Sequence, residues 1–198
     1  LKHKDMLVKE VNHRVKNNLQ IILSLINLDI RYHPNDSMSV IDATRLRLTY
    51  MSSLHDKLYS SSSMDKVDIK DYLPDISRSL IQMYDSDIQV FEDVTSCSID
   101  LDLAVSLGLI LTEVINNTIK YAFNDNDKGK FFIKFEFENN IGVLDLFDNG
   151  EGLPDGFDFE SSTGLGMTVI KSLTQQINGK LNIIPDEGAH FRIKFPLN

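Results

Sequence analysis

The sequence predicts an all-α helical hairpin followed by an α+β layer sandwich. Over residues 7–58, apolar side chains recur every three or four positions, which is the period of a buried helix face. A run of serines then interrupts the chain, and beyond it helical stretches mix with strands whose apolar residues alternate. We therefore expect two domains, at residues 1–64 and 65–198.

Two apolar stripes define the predicted hairpin. The first predicts a helix that runs to about Tyr32, and it consists of Leu7, Val11, Val15, Leu19, Ile22 and Ile26. The Pro-Asn-Asp sequence at residues 34–36 ends this helix, and a second stripe from Ile41 to Leu58 predicts the returning helix. A hairpin with one apolar seam per helix buries little surface by itself, so we expect a homodimer in which two hairpins form a four-helix bundle.

The second segment combines helices with antiparallel strands. The pattern predicts helices near residues 69–83, 101–123 and 167–177, and strands near residues 88–94, 131–137, 141–147, 180–184 and 191–195. Asn139 and Asn140 predict a tight turn that joins two of these strands into a hairpin. This order indicates a layer sandwich and argues against a parallel nucleotide-binding fold.

Charge and cysteine content exclude several classes of function. The chain has 198 residues and a formal net charge of -9, with 29 acidic against 20 basic residues, so we expect no nucleic-acid partner. The single cysteine, Cys97, excludes an internal disulfide and a multi-cysteine metal site. No apolar run is expected to reach the roughly 20 residues that span a bilayer, so we expect no membrane contact by this segment.

His13 is the candidate nucleophile of the first helix. It lies two residues from both Val11 and Val15, about 200° around the helix from each, so its side chain is expected to point away from the buried stripe. Glu10 shares its polar face one turn earlier. An exposed imidazole suits a nucleophile that must meet two partners, and the alternative is an ordinary solvated histidine.

A polar stripe interrupts the apolar helix that begins near Leu101. Glu113, Asn117, Lys120 and Tyr121 make up this stripe. The first two offer hard oxygen ligands suited to Mg²⁺, a lysine ammonium suits phosphate, and a tyrosine ring can stack on a base. The alternative is a partly exposed helix face.

Two glycine segments follow. Asp148 ends an apolar strand and precedes Gly150 and Gly152, so its carboxylate can accept a hydrogen bond from an adenine amine. The second segment opens the last helix, and it consists of Gly164, Leu165 and Gly166. Backbone amides at a helix start attract anions, which makes this segment a phosphate candidate. Alone, the segments could equally be a tight turn and a plain helix start.

These motifs, in this order, resemble the histidine kinases. The segment from Val11 to Gln20 and the sequence His55-Asp-Lys-Leu-Tyr59 resemble the subgroup related to the HWE kinases, and the rest is similar to the GHKL ATP-binding domain that gyrase and MutL share. The resemblance implies a dimerisation and histidine phosphotransfer hairpin followed by a Bergerat-fold ATP-binding domain. It also implies autophosphorylation from ATP, then transfer to an aspartate on the receiver domain of a response regulator.

The resemblance also implies roles for individual residues. His13 accepts the phosphate, Asn117 binds Mg²⁺ with Glu113 one turn earlier, Lys120 reaches phosphate, Tyr121 lies beside the base and Asp148 reads adenine. The glycine boxes are formed by Gly150, Gly152, Gly164 and Gly166, with a mobile lid over residues 153–163. Glu10 is the hypothesised residue that orients the imidazole, with Glu113 as the competing base. We expect the chain to be cytoplasmic or the cytoplasmic part of a larger sensor protein.

Three positions depart from the family pattern: Arg14 follows the acceptor histidine where many members have an acid, and Asn116 and Ala189 stand where a threonine or serine is usual. Two other interpretations stay open at this point. One is a GHKL ATPase or protein-serine kinase that does not use His13, and the other is a phosphotransfer scaffold with a degenerate ATP domain.

Overall fold

The computed structural model describes residues 20–28, 30–31, 36–60, 66–123, 128–154, 156–157, 159, 162, 164–184 and 186–197. For Ser39 and residues 53–60, only the helical backbone is described. His13 and Glu10 lie outside the described residues, and so do residues 61–65 of the linker predicted from Ser60 to Lys66.

Both helices of the predicted hairpin are confirmed in the part of the chain that is described. Residues 20–28 and 30–31 are helical and form the described part of α1, and α2 spans Ser37–Ser60. Ile22 of the predicted stripe is 2% exposed. Its burial agrees with the helical period found in the sequence.

Three further helices follow close to their predicted positions: α3 spans Ile69–Met83, α4 spans Leu101–Asn117 and α5 spans Leu165–Gln176. Aspartate side chains start two of them, because Asp68 accepts a hydrogen bond from the Lys70 amide and Asp100 accepts one from the Leu103 amide. The predicted helix to Phe123 differs at its end. After Asn117 the backbone continues as a π-helical turn, Thr118–Ala122. This turn has more residues per turn than an α-helix, so its side chains point in different directions from those of a continued α-helix.

The strands form two sheets. A small antiparallel sheet pairs β1 (Lys66–Asp68) with β3 (Ser98–Asp100), and neither strand is in the sequence prediction. The large sheet contains β2 (Gln89–Val94), β4 (Lys130–Glu138), β5 (Ile141–Asp148), β6 (Lys180–Ile183) and β7 (His190–Pro196), in the order β2-β4-β5-β7-β6. All its pairs are antiparallel except β2 with β4, which is parallel. The purely antiparallel expectation was therefore wrong at this edge.

One face of the large sheet packs against the helices to form the core. Phe131 on β4, Leu144 on β5 and Phe191 on β7 are at most 1% exposed, and they share one cluster with apolar residues of α3, α4 and α5. This arrangement confirms the layered α+β expectation for the second segment.

Helix α4 lies in the middle of this core. Leu107, Leu109 and Ile110 are all 0% exposed, so the helix is apolar on nearly every side. Among the described helices, the run from Leu101 to Ala122 is long and apolar enough to cross a membrane, contrary to the sequence expectation. Since 78% of its apolar window is buried inside the protein, it has the properties of a core helix.

Helix α2 packs directly on the second segment. Leu46 and Tyr50 are each 1% exposed and belong to the same core cluster. The Tyr50 hydroxyl lies 2.6 Å from that of Tyr72 on α3, and it donates to the Val105 carbonyl of α4 at 3.1 Å. A Cβ at Gly108 would lie 2.4 Å from the Tyr50 hydroxyl oxygen, so a glycine permits this approach.

Candidate functional site

A cavity of about 510 Å³ opens beside the end of α4, the π-helical turn, the end of β5 and the start of α5. This volume suits a ligand of nucleotide size. The cavity is lined by nine residues predicted from the sequence: Glu113, Asn117, Lys120, Tyr121, Asp148, Gly152, Gly164, Leu165 and Gly166. A tenth predicted residue, Gly150, does not line the cavity, but its amide donates a hydrogen bond to Asp148, which does. The two other predicted residues, His13 and Glu10, lie outside the described residues.

The Asp148 carboxylate is fixed by three hydrogen bonds. Its Oδ1 accepts from the backbone N–H groups of Gly150, at 3.0 Å, and Ala189, at 3.2 Å. Its Oδ2 accepts from the Thr118 hydroxyl at 2.9 Å. Three different segments therefore hold one buried acceptor at the cavity wall. Sequence reasoning missed Thr118, because nothing local marks a threonine as the partner of a residue 30 positions away.

Gly150 brings the end of β5 against the π-helical turn. A Cβ at this position would lie 2.2 Å from the Ala122 carbonyl oxygen, and that same oxygen accepts a hydrogen bond from the Glu151 amide at 3.0 Å. A side chain here would push the two segments apart. Gly152 follows with a φ of 76° and lines the cavity.

Glu113 and Asn117 converge on the start of α5. A Cβ at Gly166 would lie 3.4 Å from Glu113 Oε2 and 3.4 Å from Asn117 Oδ1, so both oxygens are directed at the same small region. The described residues contain no cluster of three or more histidine, cysteine or acidic side chains that could hold a metal ion. Two hard oxygens nevertheless fit Mg²⁺, which usually keeps waters and shares its coordination with substrate phosphates.

Arg47 of α2 reaches into the same cavity and was missed in the sequence. Its Nε and Nη2 lie 2.8 and 2.7 Å from Glu113 Oε1, and both side chains are buried. The partners are 66 residues apart on different predicted domains, so no local pattern could indicate the pair.

Lys120 and Tyr121 lie on the exposed side of the cavity. Both belong to the π-helical turn, and the Tyr121 side chain is 73% exposed. Its predicted place beside adenine stays a prediction.

The departure at Asn116 has a structural counterpart. The Tyr84 hydroxyl, just after α3, donates to Asn116 Oδ1 at 3.3 Å. Burial raises the pKa of Tyr84, and the negative charges of Asp42 and Glu113 raise it further. The tyrosine therefore keeps its proton at neutral pH and can donate to the amide.

The start of α5 and part of the predicted lid lie next to each other. Gly164 is the N-cap residue of α5, and a Cβ added there would meet no atom of the described residues within 4 Å. Lys171 of α5 donates to the Ser162 carbonyl at 3.3 Å and lies 4.7 Å from the centre of the Phe159 ring. The described part of the lid is thus tied to the helix that begins at the cavity.

Fold and site together define an ATP-binding domain of the GHKL class preceded by two helices. Residues 10–84 match the family described as histidine kinase, and residues 102–198 match the family described as histidine kinase-, DNA gyrase B-, and HSP90-like ATPase. These two matches take in most of the chain. The chain belongs to the histidine kinase family, and it is similar to the catalytic core of sensor histidine kinases. The resemblance to the HWE-related subgroup is confirmed.

Named relatives agree with this assignment. The sensor histidine kinase PdtaS of Mycolicibacterium smegmatis is 30% identical over 98% of this chain and 40% of its own length. Blue-light-activated histidine kinase 2 of Erythrobacter litoralis is 25% identical over 98% of this chain and 58% of its own length. The chain therefore spans about half the length of these relatives.

A solved structure has the same fold. The histidine kinase domain of the Erythrobacter litoralis EL346 blue-light activated histidine kinase superimposes with a TM-score of 0.74 at 24% identity. The superposition covers 95% of this chain and 92% of that one. The match of residues 102–198 to the histidine kinase-, DNA gyrase B-, and HSP90-like ATPase family implies that this chain uses ATP.

Proposed function

We propose that this chain is a histidine kinase core that uses ATP and Mg²⁺ to phosphorylate its own His13. The proposal depends most on Asp148, a buried carboxylate held by three donors at the wall of a nucleotide-sized cavity. A fixed, buried acceptor suits the exocyclic amine of adenine, because neither partner then needs to reorganise on binding.

The opposite side of the cavity would hold the phosphates. Glu113 and Asn117 are proposed to hold Mg²⁺ through the two oxygens that face Gly166, and Lys120 is proposed to contact phosphate. The amides that begin α5, from Gly164 to Gly166, supply further donors. When bound, the metal ion offsets the negative charge on the phosphate oxygens.

The phosphoryl step is an in-line displacement. Nε2 of a neutral His13 imidazole attacks the γ-phosphorus of ATP, so an N–P bond forms, the bond to the bridging oxygen breaks and ADP leaves. Glu10 is proposed to accept a hydrogen bond from the Nδ1 proton of the same ring, to orient Nε2 and to take that proton once Nε2 is phosphorylated. The phosphoryl group then passes to an aspartate carboxylate on the receiver domain of a response regulator.

The remaining expectations belong to the same proposal. We propose a homodimer through the α1–α2 hairpin, a cytoplasmic location, and domains at residues 1–64 and 65–198. Because His13 lies in the proposed hairpin domain and most of the residues that line the ATP cavity lie in the second domain, the chain between them must let the cavity approach the imidazole. Residues 153–163 are proposed to close over the nucleotide.

Incubation with γ-labelled ATP tests the proposal. We expect the wild-type chain to take up label that is stable in alkali and lost in acid, as a phosphohistidine is, and His13→Gln to take up none. Label that survives acid would favour a protein-serine kinase. Release of inorganic phosphate without protein labelling would favour an ATPase, and label on the His13→Gln protein would contradict the assignment of the acceptor.

A further inference from the structure

The ion pair between Arg47 and Glu113 joins the hairpin to the nucleotide site. Arg47 is 1% exposed although it lies on α2, and both of its contacting nitrogens bind the same carboxylate oxygen, Oε1. The second oxygen, Oε2, is the one near Gly166, where an added Cβ would lie 3.4 Å from it and 3.4 Å from Asn117 Oδ1. The guanidinium therefore holds one end of the carboxylate, while the other end lies beside Gly166, a residue of the cavity wall.

The position of Arg47 is itself fixed by packing. Leu46 and Tyr50 flank it on the buried face of α2, and the Tyr50 hydroxyl bonds to groups of α3 and α4. Helix α2 thus has docking contacts of its own, which do not involve Arg47. A buried ion pair contributes little net stability compared with an apolar side chain of similar size, so packing alone does not account for a charged residue here.

We propose that Arg47 is a positioning residue for the metal–nucleotide site. By holding Oε1 of Glu113, it directs Oε2 alongside Asn117 toward the Mg²⁺ that accompanies ATP. The site is then complete only while α2 is docked on α4. A movement of the hairpin that withdraws Arg47 weakens the hold on metal-bound nucleotide without touching the adenine pocket. This inference rests on the proposed function of the cavity, since it requires ATP and Mg²⁺ to bind there.

The expected loss of metal affinity can be taken from other proteins in which a group that orients a metal ligand was removed. Removing a group that orients a ligand typically lowers metal affinity about 10- to 100-fold. The effect should be confined to the contribution of the metal ion, because none of the three donors that hold Asp148 belongs to α2.

The test measures ATP binding rather than catalysis. Dissociation constants are determined by calorimetry with excess Mg²⁺ and with a chelator, using full chains that carry His13→Gln so that no phosphate is transferred. The ratio of the two constants is the gain in affinity from Mg²⁺. Arg47→Met is compared with Arg45→Met, a change of the same kind at an exposed position of the same helix.

We expect Arg47→Met to lower the Mg²⁺ gain about 10-fold or more while ATP binding in chelator stays as in the parent, and Arg45→Met to change neither. In a Glu113→Gln background, Arg47→Met should cause no further loss, because its effect acts through that carboxylate. An unchanged Mg²⁺ gain, an equal loss in both buffers, or an undiminished loss in the Glu113→Gln background would overturn the inference.

Two further outcomes have separate meanings. If Arg47→Met does not fold, Arg47→Lys is tested in its place, because lysine keeps the charge but offers one donor nitrogen instead of two. We expect the Mg²⁺ gain of Arg47→Lys to fall at least about threefold. A Mg²⁺ gain equal to that of the parent would overturn the inference. If the parent protein binds ATP with no Mg²⁺ gain at all, the proposed metal site itself is wrong.

Discussion

Replacing Asp148 by asparagine tests the recognition of adenine, because the surrounding donors dictate how an amide must sit. Two backbone N–H groups point at Oδ1, at 3.0 and 3.2 Å, and an amide nitrogen cannot accept from them. The carbonyl oxygen of the new side chain therefore keeps the Oδ1 position. Its NH₂ group takes the Oδ2 position. The Thr118 hydroxyl, which donates to Oδ2 at 2.9 Å in the wild type, can turn and accept a hydrogen bond from this NH₂ group.

With this arrangement, Asp148→Asn should affect ATP binding much more than it affects the stability of the fold. All three contacts persist in Asp148→Asn, so the fold should lose only the charge-assisted part of them, about 1 kcal/mol. Within the described residues Oδ1 already accepts two bonds and Oδ2 one, so Oδ2 is the natural acceptor for the adenine amine. A hydrogen bond to a charged acceptor is worth about 1.5–3 kcal/mol, which corresponds to a rise of roughly 10- to 150-fold in the dissociation constant of ATP.

Titration calorimetry with ATP, together with thermal melting, measures both quantities. Asp93→Asn is the matched control, because it is the same chemical change at an exposed position on β2. We expect Asp148→Asn to melt within a few degrees of wild type and to bind ATP weakly, and Asp93→Asn to behave as wild type. A folded Asp148→Asn protein with wild-type affinity for ATP would refute the assigned role of this carboxylate.

Three further predictions concern the supports of the site. Gly108→Ala displaces Tyr50, since the new Cβ lies 2.4 Å from its hydroxyl oxygen, and should cost about 2–4 kcal/mol in unfolding free energy by denaturant titration. Gly150→Ala places a Cβ 2.2 Å from the Ala122 carbonyl oxygen and should weaken ATP binding about tenfold or more by calorimetry. Asp68→Ala removes the cap of α3 and should cost about 1 kcal/mol at neutral pH. Burial raises the pKa of Asp68, but its hydrogen bonds lower it more, so the folded pKa lies below the usual value. Its contribution is therefore present above the unfolded pKa, near 4, and is lost as pH falls through the lower folded pKa, where the difference between wild type and variant should shrink.

Each of these three has a control. Gly108→Ala should no longer destabilise a Tyr50→Ala protein, in which the space is already open; an equal loss there would show that the clash is not the cause. Gly164→Ala, whose Cβ would meet no described atom within 4 Å, should weaken ATP binding less than Gly150→Ala does, and an equal loss in both variants would show that the close approach at Gly150 is not the cause. A stability difference for Asp68→Ala that grows on acidification would contradict the sign given to its pKa shift.

Local patterns were sufficient for most of the secondary structure. The period of apolar residues placed α3 at residues 69–83, where the structure has it. Asn139 and Asn140 marked a tight turn, and the structure gives them φ angles of 51° and 61°, which asparagine tolerates better than most residues. In both places the physical cause lies within a few residues of its effect.

The features that the sequence did not reveal depend on distant partners. The parallel pairing of β2 with β4 joins Gln89 to Lys130, and alternation of apolar residues cannot tell which neighbour a strand will choose. The Arg47–Glu113 ion pair likewise joins residues that lie far apart in the sequence, so no local pattern indicates it. The π-helical turn at Thr118–Ala122 differs from an α-helix in its hydrogen-bond register and residues per turn, which composition does not encode.

The candidate site divides in the same way. Motifs at Asp148, Asn117 and Gly166 could be found because each is a short local pattern, and the structure brings all three to one cavity. Their supports, Thr118 and Arg47, became visible only once the fold had brought separate segments together.

Mapping the phosphorylated residue by tandem mass spectrometry under alkaline conditions tests the central claim most directly. The chain has five histidines, and it is incubated with ATP and Mg²⁺ before digestion at high pH. We predict phosphate on the imidazole of His13 and on none of the other four. Phosphate on a different histidine, or on a serine or threonine with His13 unmodified, would contradict the account.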